Sequence, residues 1–259
     1  MHTSLRQQWV LITGASSGFG AAAALAFARE GARLLLGARR VDRLEQVAAL
    51  SIREGAEAAL AHPLDVTQTA SVEAFAQWTR AQTRHLQVLV NNAGGARGLE
   101  SVAEGRDEDW EFMLQANVLG ILRMTRAVLP FLVAQPGSLI LNIGSVASRT
   151  AYAGGAAYCA AKAGELQITR ALRLELCGTP VRVGTLDPGM AETEFSLVRF
   201  EGDAERAEKV YQGMTPLKAT DVAEAMVWMA TRPAHVCIDE IVIKPTDQAE
   251  IYRVHRREG

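Results

Sequence analysis

The residues of this sequence best suited to proton transfer are Tyr158 and Lys162, which lie one helical turn apart. At that spacing the lysine ammonium would favour the ionised phenol, so we expect the pKa of Tyr158 to fall below its usual value of about 10. A tyrosine tuned in this way can donate or accept a proton near neutral pH. A core tyrosine beside a surface lysine would show the same spacing, so the pair needs support from other residues.

Two further polar residues could complete a site around this pair. Ser145 follows an apolar run and could donate a hydrogen bond to a substrate oxygen on which charge develops. Asn117 lies inside a predicted helix, where asparagine is mildly unfavourable, and this hints at a role in a site. Each also has an ordinary interpretation, Ser145 as a helix N-cap and Asn117 as a solvated side chain.

A glycine-rich turn near the start of the chain could hold a pyrophosphate. It joins a predicted strand to an alanine-rich helix, whose start offers free N–H groups and the positive end of its dipole. Glycines let the backbone come close to the anion. A turn without a ligand is the alternative, but its place at the first strand–helix junction favours a dinucleotide. The predicted contacts are Gly14, Ser16, Ser17, Gly18, Phe19 and Gly20.

The end of the second predicted strand discriminates between cofactors. NAD-binding folds usually carry an acidic residue here, which binds the ribose 2′-hydroxyl. This sequence has Arg39 and Arg40 instead, and a guanidinium pairs with phosphate through two parallel hydrogen bonds. We therefore predict NADP(H), with Arg39 as the first and Arg40 as the second contact of its 2′-phosphate. Two solvated loop arginines are the alternative.

Later strand ends provide further predicted cofactor contacts. Asp65 could accept a hydrogen bond from the adenine amino group or could serve only as a turn residue. Small residues after the fourth strand would let the backbone pass close to the cofactor. The predicted contacts of this group are Asp65, Val66, Asn91, Ala93 and Gly94.

Short β-rich runs alternate with longer helical patterns, and several runs are continuously apolar, as in strands buried on both faces of a parallel sheet. This alternation predicts one doubly wound α/β domain over residues 1–259, with the layers of an α/β/α sandwich. The predicted strands are Trp9–Thr13, Arg33–Leu36, Ala58–Leu64, Val88–Asn91, Ser138–Ile143, Val181–Leu186 and Glu240–Ile243. The predicted helices are Gly18–Glu30, Val41–Glu54, Thr67–Gln82, Trp110–Ala134, Ala157–Leu176 and Ala219–Thr231.

Residues 191–218 interrupt the alternation with a polar, helix-compatible stretch. An insertion after a late strand often lies over the ligand crevice, so we interpret this segment as a substrate lid. The tail after Pro245 is expected to pack on a neighbouring subunit or to fray.

Composition limits the function classes. With 49% hydrophobic and 22% charged residues, the chain reads as an ordinary globular protein, and a net charge of −2 gives no reason to expect a nucleic-acid or membrane partner. We find no apolar run near the length of a membrane span and no signal peptide. The three cysteines show no paired spacing and the five histidines no ligand spacing, which favours a cytoplasmic protein without a metal site.

Jointly these motifs resemble the short-chain dehydrogenase/reductase family. The resemblance is carried by Thr13–Gly20, Asn91–Gly94, Asn117, Ser145, Tyr158, Lys162 and Pro188-Gly189. It implies an open, Rossmann-type parallel sheet of about seven strands and a catalytic tetrad of Asn117, Ser145, Tyr158 and Lys162. Homotetramers are common in the family, and homodimers are a minority.

The resemblance also assigns roles to the site residues. Tyr158 would exchange a proton with the substrate carbonyl or hydroxyl, and Ser145 would polarise the carbonyl. Lys162 would lower the tyrosine pKa and hold the nicotinamide ribose, while Asn117 would hold a relay water. The residues expected against the nicotinamide are Pro188, Gly189, Met190 and Thr193.

The second half of the chain resembles a narrower group, the NADP-dependent 3-hydroxy acid dehydrogenases. The likeness is carried by Tyr152–Gly155, Glu192–Ser196, Val198–Phe200, Gly202-Asp203 and Pro233–Val236. It implies a small substrate such as serine or 3-hydroxypropionate. Arg97 and the stretch Ser148–Ala151 depart from the pattern and leave the substrate open.

A carboxylate substrate needs a cationic partner, since an unpaired buried charge is costly. Arg97, Arg149 and Arg199 are candidates, and we favour Arg149, four residues after Ser145, as the substrate-binding residue beside Ser145 and Tyr158. Each arginine could equally be solvated or contact a subunit.

Two other functions stay open. One is reduction of a lipid, steroid or polyketide ketone, against which the aromatic content of 6% argues mildly. The other is a regulator that senses NADP without catalysis, against which the complete proton relay argues.

Overall fold

Strands and helices alternate along most of the chain. The computed structural model describes residues 3–257. Its strands are β1 (Trp9–Thr13), β2 (Arg33–Ala38), β3 (Ala58–Pro63), β4 (Val88–Asn91), β5 (Leu139–Ile143), β6 (Arg182–Pro188), β7 (Ala191–Glu192), β8 (Leu217–Lys218), β9 (Glu240–Ile243), β10 (Gln248–Glu250) and β11 (Arg253–Val254). Its α-helices are α1 (Gly18–Arg29), α2 (Val41–Arg53), α3 (Thr69–Gln82), α4 (Asp107–Leu114), α5 (Gly120–Val133), α6 (Ala156–Glu175), α7 (Glu194–Arg199), α8 (Ala204–Lys209) and α9 (Ala219–Ala230).

Seven strands form one parallel sheet in the order β3-β2-β1-β4-β5-β6-β9. The chain winds outward from β1 through β2 to β3 and then returns to place β4 on the other side of β1. Helices α1, α2 and α9 cover one face of the sheet, and α3, α5 and α6 cover the other. The predicted doubly wound α/β/α sandwich is confirmed, and each of the seven predicted strands lies in this sheet.

The core lies on both faces of the sheet, which explains the continuous apolar runs. Val10 and Ile12 of β1 pack with Phe27 on one face, while Leu11 packs with Phe75 on the other. Successive side chains of a strand point to opposite faces, so a strand covered on both sides needs an apolar residue at every position. Each of these fully buried side chains stabilises the fold by about 1.5–3 kcal/mol.

The helix predicted over Trp110–Ala134 is instead two α-helices joined by a π-helical turn at Gln115–Leu119. By length and composition alone the stretch Asp107–Val133 is long and apolar enough to cross a membrane, although it contains no uninterrupted apolar run of that length. Half of its most apolar window is buried within the protein, and Met124 and Val128 belong to the core on the α3 face. A core helix of a globular domain can be as long and as apolar as a membrane-spanning helix, because one of its faces is buried in the protein.

The segment 191–218 and the chain end contain structure that the sequence did not predict. The two ends of the segment meet as the parallel pair β7–β8, with α7 and α8 between them. After Pro245 the chain forms the antiparallel pair β10–β11 and then contacts the segment, where Arg257 N–H donates to Gly213 O at 2.7 Å. Within the described residues the tail is therefore tied to its own domain.

Candidate active site

Tyr158 and Lys162 lie in the first two turns of α6, beside the end of β5. Lys162 Nζ donates a hydrogen bond of 2.7 Å to the carbonyl of Ile143, the last residue of β5. Ser145 follows that strand and interacts with the Tyr158 hydroxyl. Its Oγ also accepts from Ala147 N–H at 3.1 Å as the cap of a short 3₁₀ turn, so it is a cap and a neighbour of Tyr158 at once.

The expected low pKa of Tyr158 is wrong for this structure. Burial raises the pKa of the phenol to about 12, although the Ser145 hydroxyl and the Arg199 charge act to lower it. Burial likewise lowers the pKa of the Lys162 ammonium, against the charges of Glu165 and Asp187. Tyr158 is 8% exposed and Lys162 7%, so loss of hydration outweighs the attraction that helical spacing alone would suggest.

Asn117 lies within the π-helical turn and is buried, at 1% exposure, so the interpretation as a solvated side chain is wrong. Its Oδ1 accepts from Gly95 N–H at 3.1 Å, and its Nδ2 donates to the carbonyls of Gly95 and Met113, both at 2.8 Å. The amide thus ties the long helix to the loop that follows β4. π-Turns inside helices often occur at functional sites.

A cleft of about 430 Å³ runs along the carboxyl ends of the strands. Two glycines allow the tight packing of the first turn beside it: a Cβ at Gly14, which has φ +66°, would lie 2.9 Å from Ala93 Cα, and one at Gly20 would lie 2.4 Å from Gly14 O. These positions therefore need glycine for packing. The predicted residues that line the cleft are Gly14, Ser16, Ser17, Gly18, Phe19, Arg39, Arg40, Asp65, Val66, Ala93, Gly94, Asn117, Tyr158, Lys162 and Thr193.

A second cavity of about 460 Å³ adjoins the cleft under the 191–218 segment. Tyr158 and Phe195 line both spaces, with their ring centroids 5.7 Å apart. Ser145 lines the second cavity. The predicted residues Pro188, Gly189 and Met190 also line this cavity and not the cleft. The phenol therefore lies at the junction of the cleft and a more apolar cavity.

Comparisons with known proteins agree with this geometry. A model of the short chain dehydrogenase family matches residues 8–203. The chain belongs to the short-chain dehydrogenase family. An uncharacterized oxidoreductase of Mycobacterium tuberculosis is 50% identical over 248 residues, covering 96% of this chain and 95% of the relative.

Two relatives with more specific names are also similar to this short-chain dehydrogenase. An NADP-dependent 3-hydroxy acid dehydrogenase of Salmonella typhi is 44% identical over 241 residues, covering 93% of this chain and 96% of that enzyme. The closed form of a serine dehydrogenase complexed with NADP+ superposes with a TM-score of 0.89 at 40% identity, covering 96% of this chain and 100% of that chain. Both resemblances inferred from the motifs are confirmed.

The two adjacent arginines of this short-chain dehydrogenase have different surroundings. Arg39 lines the cleft with its guanidinium 5.9 Å from the Phe112 ring centroid, and within residues 3–257 it makes no hydrogen bond or ion pair. Arg40 instead donates to Ser17 Oγ at 2.5 Å and to Glu194 Oε2 at 3.0 Å. Arg39 is thus the one with a free guanidinium.

Three predicted cofactor contacts are partly or wholly occupied with structural tasks. Asp65 Oδ1 accepts from Thr67 N–H at 3.0 Å and from its hydroxyl at 2.7 Å, as a turn residue does, although it also lines the cleft. Asn91 points into the core, where its Nδ2 donates to Asn142 Oδ1 at 2.9 Å, and it lines neither space. Gly20 is likewise absent from both linings and serves the turn.

The structure does not place Arg149 in either space. Its guanidinium donates to Asp187 Oδ2 at 2.6 Å and to Glu240 Oε2 at 2.7 Å, so both bonds neutralise carboxylates of the protein. Arg97 is also engaged, with its Cζ 4.1 Å from the Phe112 ring centroid and an ion pair of 3.6 Å to Asp109. Neither lines the second cavity.

Arg199 is the candidate arginine that does line the second cavity. Its Nε donates to the Gly98 carbonyl at 2.9 Å, and its Cζ lies 5.5 Å and 5.8 Å from the ring centroids of Tyr152 and Tyr158. No carboxylate of the described residues forms an ion pair with it. The choice of Arg149 over Arg199 is therefore not supported by the geometry.

Sequence reasoning missed the walls contributed by distant segments. Phe195, Phe200 and Tyr211 of the 191–218 segment and Ile251 and Tyr252 of the tail line the second cavity. Phe195 and Phe200 lie in stretches that carry the likeness to the 3-hydroxy acid dehydrogenases, but no motif marks Tyr211, Ile251 or Tyr252, because their role depends on long-range packing. A cluster of aromatic residues on a short polar insertion was the available signal for the first three.

Proposed function

We propose that this protein is an NADP(H)-dependent oxidoreductase that interconverts the hydroxyl group of a small 3-hydroxy acid, such as serine or 3-hydroxypropionate, and the corresponding carbonyl. One observation carries the proposal: Tyr158 lies where the nucleotide cleft meets the second cavity, so one phenol faces both ligands. The names of the two relatives, an NADP-dependent 3-hydroxy acid dehydrogenase and a serine dehydrogenase complexed with NADP+, support the cofactor and the substrate class.

The residues of the cleft fit NADP(H). Lys162 uses one of its three N–H donors on the Ile143 carbonyl, which leaves donors for ribose hydroxyls. Arg39 offers a free guanidinium for the 2′-phosphate, and positions 37–40 contain no carboxylate that would select NAD. When bound, the nicotinamide supplies or accepts the hydride.

Tyr158 is the general acid and base of the proposed reaction. Its pKa of about 12 keeps the phenol protonated at neutral pH, which suits donation of the proton to a carbonyl oxygen. Oxidation needs the phenolate form of Tyr158. The positive charge of Arg199 favours that form, and the charge of the Lys162 ammonium would favour it further. Ser145 donates a hydrogen bond to the same substrate oxygen and stabilises its developing charge.

Asn117 has a restricted role in this scheme. Both polar atoms of its amide are bonded to the backbone of Gly95 and Met113. A relay water near Lys162 would therefore be held by the backbone of the π-turn and not by the asparagine side chain. The side chain positions that backbone.

Arg199 is the proposed partner of the substrate carboxylate. It lines the second cavity beside Tyr158, and no carboxylate of the described chain neutralises it there. Residues 191–218, which carry Arg199, form the proposed substrate lid over a single catalytic domain.

The test is a cofactor-coupled absorbance screen of short hydroxy acids, alcohols and aldehydes with both NADP and NAD. We expect turnover of a 3-hydroxy acid with NADP. In Arg199→Leu, activity on the acid should fall at least about tenfold more than activity on its methyl ester. Arg97→Leu, which lies outside the second cavity, is the matched control. Equal losses on acid and ester would remove Arg199 from substrate binding.

Reduction of a larger ketone is the second candidate, and the second cavity favours it. Its lining includes the aromatic residues Tyr152, Phe195, Phe200, Tyr211 and Tyr252, so a low overall aromatic content does not mean a pocket poor in rings. Turnover of bulky ketones without turnover of 3-hydroxy acids in the same screen would select this candidate.

The homotetramer and the cytoplasmic location remain predictions. Leu114, Leu119 and Leu122 are partly exposed on the helical stretch 107–133, and Leu174 is 80% exposed on α6. Such apolar surface suits contacts between copies of the chain. Light scattering of the purified protein measures the number of subunits directly.

A further inference from the structure

Glu194, the first residue of α7, connects the proposed lid to the opposite wall of the nucleotide cleft. Its Oε2 accepts from Arg40 Nη1 at 3.0 Å, and its Oε1 accepts from Arg43 Nη1 at 2.7 Å. Arg40 also donates from Nε to Ser16 Oγ at 3.4 Å and from Nη2 to Ser17 Oγ at 2.5 Å. A continuous chain of polar contacts therefore runs from the glycine-rich turn through Arg40 to the start of the lid.

These contacts divide the work between neighbouring arginines. Arg40 donates hydrogen bonds to the two serines of the glycine-rich turn and to Glu194, whereas Arg39 has no polar partner in the described part of the chain. Both arginines line the nucleotide cleft, and the ion pair between Arg40 and Glu194 does not fill the cleft. The 2′-phosphate of a bound cofactor thus has a free guanidinium in Arg39, and Glu194 need not leave Arg40 to admit it.

The charge on Glu194 is stable at neutral pH. Partial burial acts to raise the pKa of its carboxyl, but the hydrogen bonds and charges of Arg40 and Arg43 outweigh this and lower the pKa. One carboxylate between two guanidiniums forms a small network, which holds better than an isolated exposed pair. All three side chains remain partly exposed, so salt should weaken the network.

The residues around Glu194 belong to both ligand spaces. Thr193 and Phe195 line the cleft and the second cavity, and Thr193 lies close to the glycine-rich turn, with its Cβ 3.7 Å from the position of a Cβ on Gly18. A contact that fixes residue 194 therefore fixes the wall shared by the two spaces.

We propose that Glu194, held by Arg40 and Arg43, is a clasp that keeps the start of the lid closed over the nucleotide cleft and slows the release of the dinucleotide. The clasp is a positioning device, and it acts on NADP(H) and NAD(H) alike because it does not involve the 2′-phosphate. This inference rests on the proposed function in that the cleft must bind a dinucleotide.

The test compares Glu194→Gln with Glu192→Gln by stopped-flow dissociation of NADPH and NADH. Glu192 is exposed on the same segment and forms no ion pair in the described structure, so it is the matched control. In Glu194→Gln we expect both dissociation rates to rise by a similar factor of roughly three to ten and to lose much of their salt dependence. Arg39→Leu should accelerate the release of NADPH alone.

Two results would overturn the clasp. Slower release of NADPH alone in Glu194→Gln would mean that Glu194 competes with the 2′-phosphate for Arg40. Unchanged release rates of both cofactors would mean that the clasp does not hold the lid.

A second measurement needs no cofactor and separates the clasp from the proposed function. Amide hydrogen exchange of residues 193–200 in the ligand-free protein should be faster in Glu194→Gln than in Glu192→Gln. Equal exchange contradicts the clasp even if the enzyme binds NADPH. The unaltered protein could bind neither dinucleotide while hydrogen exchange is still faster in Glu194→Gln. In that case the proposed function is wrong, but the clasp still holds the start of the lid.

Discussion

At the scale of the residue, the site is governed by burial more than by the charge that the Tyr158–Lys162 spacing supplies. The sequence correctly placed both residues on one face of a helix beside Ser145. It could not show that both would be about nine-tenths buried, because burial depends on segments far away in the chain. The pKa of the phenol therefore rises where the spacing predicted a fall.

Ultraviolet titration of Tyr158→Phe against the unaltered protein tests the pKa. The lost tyrosine should titrate near pH 12 in the ligand-free state, because its phenolate would be poorly hydrated. The same substitution should lower turnover by about 10²- to 10⁴-fold, since it removes the proton donor. A difference curve centred below pH 10 would support the lowered tyrosine pKa that the Tyr158–Lys162 spacing predicts. Near-normal turnover of Tyr158→Phe would refute the role of Tyr158 as proton donor.

Replacing Arg149 tests its structural role. Arg149→Leu leaves the fully buried Asp187 without its cation and should lower the free energy of unfolding by about 2–4 kcal/mol. Arg170→Leu is the control, because Arg170 pairs with the more exposed Glu240 and should cost less than about 1 kcal/mol. Denaturant unfolding measures both, and a selective loss of activity on acids over esters in Arg149→Leu would instead return it to the substrate site.

At the scale of the element, the sequence predicted the sheet well and the interruptions poorly. Continuous apolar runs marked β1 and β4 to the residue, because a strand covered on both faces leaves a strong local signal. The π-turn at Gln115–Leu119 left no such signal, because the side chain of its Asn117 is held by hydrogen bonds to Gly95, 22 residues earlier in the chain. The short helices α7 and α8 lie in the stretch that the sequence marked as helix-compatible, but without bounds.

Asn117→Ala should destabilise the protein because the partly buried backbone of Gly95 would lose two hydrogen bonds and Met113 O would lose one. We expect the free energy of unfolding to fall by about 1–3 kcal/mol. Asn117→Asp is the companion variant, because it keeps the acceptor for Gly95 N–H but loses both donors. Alanine as stable as the unaltered protein would show that the amide does not secure the π-turn.

At the scale of the whole molecule, ion pairs tie β9, the last strand of the sheet, to segments near the site. Glu240 binds Arg149 and Arg170, which lie after β5 and on α6. The hydrogen bond from Arg170, with that from Arg149, lowers the pKa of the Glu240 carboxyl to about 2. Such a network could not be predicted from the sequence, because its members are 70 and 91 residues apart.

This pKa shift predicts a specific acid sensitivity. The folded-state pKa of Glu240 lies below the ordinary value of 4.5, so its stabilisation is present above pH 4.5 and is lost as the pH falls towards 2. Glu240→Gln should remove about 1–2 kcal/mol at neutral pH, less than the full shift would give because the partners are partly exposed. The melting temperatures of the two proteins should approach each other as the pH falls from 7 to 3. A constant difference in melting temperature would contradict the lowered pKa of Glu240.

The wall formed by Ile251 and Tyr252 has a consequence for how such proteins diverge. The family model ends at residue 203, whereas part of the second cavity is built by the last strands of the chain. The family model, which includes the catalytic motifs, thus ends before part of the wall of the second cavity. Grafting this terminus between relatives should transfer selectivity while every proton-handling group stays in place.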